Sequence, residues 1–152
     1  MLTVEACPLA DIVAAAAFPR LATEYERESL IDGMPPPAPD WDAYAALEAA
    51  GLLHGIAASV EGELVGFVAV LLAKLPRYAR PIAVTESFFV ARAHRRTGAG
   101  LRLLRAAEDQ ARALGCPALL VSAPSEGVLA KVLPRRGYAE TNRVFFKELR
   151  DA

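Results

Sequence analysis

The residues of this chain best suited to holding an anion are Arg95-Arg96-Thr97-Gly98-Ala99-Gly100, two arginines followed by two closely spaced glycines. An apolar run ending at Val90 leads into them through a short basic loop, and a helical pattern follows at once. The first N–H groups of a helix lack intrahelical partners and sit at the positive end of its dipole, so they attract phosphate. Glycine at positions 98 and 100 lets a ligand approach the backbone without meeting a Cβ. In the helix, Leu101, Leu104, Ala107, Ala111 and Leu114 form an apolar stripe, with Arg102, Arg105, Asp109 and Arg112 opposite. Gly115 ends it. No Gly-Lys-Ser/Thr follows the glycines, which excludes a Walker-type loop.

The elements that must position this loop follow from punctuation and periodicity. Leu2–Glu5 reads as a first strand, and a helix from Pro8 is expected to run to Phe18 and stop at Pro19. A second helical stretch covers Arg20–Ile31. The proline-rich Met34–Pro39 segment is a stiff loop within one domain spanning residues 1–152. Asp40 caps a helix carrying Trp41, Tyr44 and Leu47, which stops at Gly51. Ile56–Val60, the Glu61-Gly62-Glu63 turn and Leu64–Leu75 form a β-hairpin. Its second strand is apolar on both faces, so it belongs in the middle of the sheet. Ile82–Val90 is the strand before the loop. Beyond the glycine-loop helix come a short strand at Ala118–Val121, a short helix from Ser125 to Leu133, and final strands within Gly137–Leu149. The fold class is α+β, a mixed central sheet flanked by helices.

Composition narrows the partners. The chain has 152 residues, 54% of them hydrophobic, and a net charge of −1, enough for a substantial core and too neutral for a nucleic-acid binder. Charge is distributed unevenly: Glu24, Glu26, Glu28, Asp32, Asp40, Asp42 and Glu48 face a single base, Arg27, between Leu21 and Ala50. The Ala91–Arg105 stretch carries Arg92, Arg95, Arg96, Arg102 and Arg105 and no acid. One region invites anions and the other invites cations. Cys7 and Cys116 lie far apart, with no Cys-x-x-Cys spacing and no His cluster, so no metal site is expected and a reduced, cytoplasmic setting is. Cys116 and His54 read as structural. No basic-plus-apolar N-terminal signal is present, and Leu64–Ala73 falls well short of the about 20 residues that cross a bilayer, so no membrane association is expected.

The passage Phe88-Phe89-Val90-Ala91-Arg92-Ala93-His94-Arg95-Arg96-Thr97-Gly98-Ala99-Gly100-Leu101 resembles the acetyl-coenzyme A signature of the GNAT N-acetyltransferases. That signature reads Arg/Gln-x-x-Gly-x-Gly/Ala between a strand and a helix, and Arg95, Gly98 and Gly100 fill its fixed places. The Glu61–Gly66 hairpin and Pro134-Arg135-Arg136-Gly137-Tyr138 resemble further parts of the family pattern, so the likeness spans roughly Ile56 to the end. It implies a GNAT-like sheet in which two neighbouring strands splay apart, Ala118–Val121 being the strand that leaves. It also implies that the backbone amides from Arg96 through Thr97, Gly98, Ala99 and Gly100 to Leu101 cradle the pyrophosphate of acetyl-CoA, with the arginines, Arg95 among them, supplying long-range attraction. Backbone groups of Phe88 and Val90 would hold the pantetheine arm.

Acetyl transfer needs an amine made neutral and a proton for the departing thiolate. Glu86 is the candidate base, because alternation puts it on the face of Val84, Phe88 and Val90, where the resemblance places the thioester. Some family members carry their glutamate two residues earlier, where this chain has Val84. The family's usual acid, a tyrosine four residues before the turn glycine, falls at Leu133, and its frequent asparagine falls at Glu126. Ser122, Ser125 or water would have to stand in, and Tyr138 is assigned to the core. The resemblance therefore implies an N-acetyltransferase acting on a primary amine of a small molecule or protein; the alternative is a non-catalytic acyl-CoA-binding module. The acidic Arg20–Tyr44 region and the final hairpin would form an acceptor site favouring a cationic amine. Aromatic surface at Phe145 and Phe146 is available for a homodimer.

Overall fold

The computed structural model describes residues 1–150. Five strands form one sheet in chain order: β1 (Leu2–Ala6), β2 (Leu53–Val60), β3 (Glu63–Ala73), β4 (Ile82–Val90) and β5 (Leu119–Leu120). The first four pair antiparallel and β5 runs parallel to β4. The both-sided apolar pattern of β3 is accounted for by its central place, with Val65, Val68 and Val70 fully buried. Gly66 is needed there, since a Cβ at this position would lie 2.8 Å from the Phe89 carbonyl oxygen.

Helix α4 (Ala99–Ala113) covers one face, where Leu103 and Ala107 pack with Val65, Val68, Ala83 and Val90. The opposite face carries α1 (Leu9–Ala14) and α2 (Phe18–Ser29), whose Ile12 and Leu21 pack with Leu64, Phe67 and Phe89. Helix α3 (Trp41–Ala49) lies beside α1 and β2. Its cap is as expected: the Ala43 amide donates to Asp40 Oδ1 at 3.0 Å. Helix α5 (Val128–Val132) precedes a single 3-10 turn at Leu133–Arg136. Among the described residues no helix is long and apolar enough to cross a membrane.

Four expectations change. Pro19 does not stop the first helix; α1 ends at Ala14, and Pro19 sits in the first turn of α2, where its missing N–H costs nothing. The buried stripe of α4 runs through Ala99, Leu103, Leu104, Ala107 and Ala111, while Leu101 and Leu114 are half-buried, because the sheet contacts a face one residue round from the predicted one. Residues 139–150 contain no strand and make no backbone hydrogen bond among the described residues. Val144, Phe145 and Leu149 are exposed, whereas the side chains of Phe146 and Glu148 lie against Gly33. A strand needs a neighbouring ladder, and β5 offers only two residues of one. The fourth is the face of Glu86, which a bulge in β4 reverses.

Candidate active site

β4 does not alternate along its whole length. Ser87 pairs with Ala69 and Thr85 pairs with Val70, so Glu86 is an extra residue with no partner on β3. A bulge of this kind moves every later side chain to the opposite face. Ala83 before it and Phe88 and Val90 after it consequently all pack on the α4 side, while Phe89 packs against α2. Glu86 therefore does not share a face with Phe88 and Val90. It points to the helices on the other side, where Tyr44 of α3 donates its hydroxyl to Glu86 Oε1 at 2.5 Å. Burial, followed by that hydrogen bond and the carboxylate charge, pushes the Tyr44 hydroxyl well above the ordinary tyrosine range.

Aromatic rings build the wall around this contact. Trp41 lies 5.5 Å from Tyr44 and 6.3 Å from Phe18, between ring centroids. Tyr25 of α2 stacks on Phe67 at 6.1 Å and meets Phe89 edge-on at 5.1 Å. Its hydroxyl is raised mainly by burial, and less by Glu86, while the Phe88 backbone hydrogen bond pulls the other way. Trp41 is 47% exposed, so the wall opens to solvent on that side.

The two strands beside Glu86 separate at this level. β5 pairs with β4 only at Ala83 with Leu119 and Val84 with Leu120. One further link, from the Ser122 amide to Thr85 Oγ1 at 3.3 Å, closes the junction. From Glu86 to Val90 the outer edge of β4 has no strand partner among the described residues.

At the far end of β4, the basic loop makes a single 3-10 turn over Arg92–His94 and enters α4 through Gly98. Gly98 has φ +86°, in the left-handed region, and nothing lies within 4 Å of where a Cβ would stand. The Arg102 amide donates to Gly98 O, the first helical bond of α4, so the amides of Gly100 and Leu101 precede the ladder. Thr97 Oγ1 donates to His94 O at 2.6 Å and accepts from the Ala99 amide at 3.3 Å. An open helix start, with a left-handed Gly98 that has nothing within 4 Å of its Cβ position, fits a diphosphate.

The arginines divide into two roles. Arg95, though at the surface, is held by the protein itself: Nη2 donates to Glu28 Oε2 at 2.5 Å, Nε donates to the Val90 carbonyl at 3.0 Å, and the guanidinium lies 5.6 Å from the centre of the Phe89 ring. Arg102 donates to the Leu2 carbonyl at 2.6 Å. Arg96 is exposed and has no hydrogen-bond partner among the described residues. The acids of the first third are likewise partly spent. Glu24 accepts from the Arg92 amide at 2.7 Å, Glu28 pairs with Arg95, Asp40 caps α3, and Glu48 accepts from the Leu9 amide at 2.9 Å.

Tyr44, Tyr25 and Trp41 are the residues around Glu86 in the candidate site that spacing did not disclose. The only signals available were the acidic character of their region and the helical grouping of Trp41 with Tyr44. Leu133 is buried, Tyr138 is half-buried with its hydroxyl donating to Glu108 Oε1 at 2.8 Å, and Ser122 and Ser125 are exposed. Cys116 is buried in the core, and the His54 ring pairs with the Gly51 carbonyl at 2.9 Å.

The fold has counterparts among solved structures. A ribosomal-protein-alanine N-acetyltransferase from Brucella melitensis biovar Abortus 2308 superposes with a TM-score of 0.73 at 21% identity, over 100% of this chain and 99% of that one. An aminoglycoside acetyltransferase, meta-AAC0020, from an uncultured soil metagenomic sample in complex with sisomicin gives 0.73 at 19% identity, over 98% and 97%. AAC(6')-Iy in complex with the bisubstrate analogue CoA-S-monomethyl-acetylneamine gives 0.68 at 20% identity, over 99% of both chains. These likenesses establish the fold. No curated protein sequence matches the chain. The model of the acetyltransferase (GNAT) family matches residues 17–133, from the start of α2 to the end of α5, and the chain therefore belongs to that family.

Proposed function

We propose that this protein transfers the acetyl group of acetyl-CoA directly to a primary amine of a small molecule or protein, with Glu86 as the base. The observation that carries this reading is Glu86 itself, a carboxylate on a bulge where β4 and β5 part, facing an aromatic wall open to solvent. The family supplies acetyl-CoA as co-substrate. The amides from Arg96 to Leu101, with Thr97, Gly98, Ala99 and Gly100 between them, would hold its diphosphate, and Arg96 would add a free positive charge. Arg95 would serve this site by fixing the loop to α2. The free edge of β4 at Phe88 and Val90 would take the pantetheine arm, although the Val90 carbonyl already accepts from Arg95.

The amine arrives protonated and gives one proton to Glu86. The nitrogen lone pair attacks the thioester carbonyl, the C–N bond forms, and the C–S bond breaks. The second amine proton leaves with the coenzyme thiolate as a thiol, carried by water, because buried Leu133 places no hydroxyl where the family usually has one. A cationic acceptor suits Glu86, the acid at the mouth, better than it suits the acidic stretch as a whole.

Screening an amine library for acetylated products by mass spectrometry tests this function. Glu86→Gln is expected to lower kcat about 10²–10⁴-fold while leaving acetyl-CoA binding intact. Undiminished turnover in that variant would sink the role of Glu86. Coenzyme binding without turnover in the wild type would indicate the non-catalytic acyl-CoA module instead.

A further inference from the structure

Glu86 is held in an unusual way for a side chain on a bulge. With no cross-strand neighbour on β3 and an exposed side chain, the strand does nothing to fix its rotamer. Tyr44, reaching from 42 residues away, is its hydrogen-bond partner. The tyrosine is itself firmly mounted: its ring lies against Trp41, Trp41 against Phe18, Phe18 on Phe67 at 5.9 Å, and Phe67 on Phe89 at 6.2 Å. This row of rings leads from α3 back to β3 and β4, the strands that carry Glu86.

We propose that Tyr44 is a positioning residue: its hydroxyl occupies Glu86 Oε1 and so aims Oε2 at the incoming ammonium group. The proposal rests on the transferase reading above. A carboxylate has two oxygens, and tying one to a rigid donor leaves the other in a single place. The donor role is stable across the working pH range. Burial and the neighbouring carboxylate keep the Tyr44 hydroxyl protonated, and the titratable groups facing it are Glu86 of β4 and Tyr25 of α2.

Tyr44→Phe tests the idea, because it removes the hydroxyl and keeps the ring. The expected result is a loss of about 10- to 100-fold in kcat, with coenzyme affinity unchanged and Tm lowered by no more than a few degrees. In a Glu86→Gln background the same substitution is expected to cost nothing further, since a residue acting through Glu86 has nothing left to position. An unaltered kcat in Tyr44→Phe, or an equal loss in both backgrounds, overturns the proposal. NMR of tyrosine labelled at Cζ gives a readout independent of turnover. The Tyr44 signal should titrate at lower pH in Glu86→Gln than in the wild type, and an unchanged titration overturns the contact. Wild-type turnover in the same assay separates the two readings: an inactive wild type rejects the transferase, whereas an active wild type with an unaffected Tyr44→Phe rejects only the positioning role.

Discussion

Adjacent arginines at 95 and 96 have different surroundings, and substitution should expose the difference. Arg95→Ala removes an ion pair, a bond to the Val90 carbonyl and the contact with Phe89. Both ends of the ion pair are about a third or more exposed, so solvent screening limits its share, and the expected loss is about 1 kcal/mol, read as a lower Tm. Arg96→Ala should leave Tm alone and weaken acetyl-CoA binding in calorimetry, more so at low salt. Tyr138 provides a pH test. Burial, then its bond to Glu108, holds its hydroxyl protonated beyond the ordinary tyrosine range, with Arg112 opposing. Stability from this group is thus fully present below about pH 10 and is lost as pH rises above that value. Thermal melts should find Tyr138→Phe less stable than wild type at pH 9, with the gap narrowing towards pH 11.

Two elements owe their geometry to single glycines, for opposite reasons. Gly98 starts α4 with φ +86° and open space around it, so Gly98→Ala meets a backbone cost of about 1 kcal/mol and no clash. The substitution should tilt the free amides and reduce coenzyme affinity more than stability. Gly66 has the reverse problem, with no room beside the Phe89 carbonyl, and Gly66→Ala should lower Tm by forcing β3 and β4 apart. Helix α4, the hairpin of β2 and β3, and the Asp40 cap were legible because each is written in residues close together. The bulge at Glu86 was not, since its residue types suit an uninterrupted strand equally well. One inserted residue reverses the face of everything after it, which is why alternation put Glu86 beside Phe88 and Val90.

Taken as one body, the molecule joins an acidic helix to a basic loop through Glu24 with the Arg92 amide and Glu28 with Arg95. Those acids lie one helical turn apart on α2, with Tyr25 between them packed on the sheet. Acetyl-CoA bound at the far side of this junction should stabilise the whole fold, by about 2.7 kcal/mol when present at 100 times Kd. A thermal-shift titration is expected to find the same stabilisation in Glu86→Gln and a smaller one in Gly98→Ala.

Spacing within a few residues was enough to reveal the glycine loop, the helix behind it, the central strand and the family resemblance, because helix dipoles, caps and turns are local physics. The partner of Glu86 and the fate of the α2 acids Glu24 and Glu28 depended on contacts between residues 42, 67 and 68 positions apart. No periodicity encodes such pairs. They exist because a bulge turned one carboxylate toward α3, and because two acids of α2 were drawn into the loop rather than left for an acceptor. The opening glycines and arginines thus announced where a phosphate could sit, while folding alone assigned Arg95 to the scaffold, left Arg96 free and set Tyr44 on Glu86.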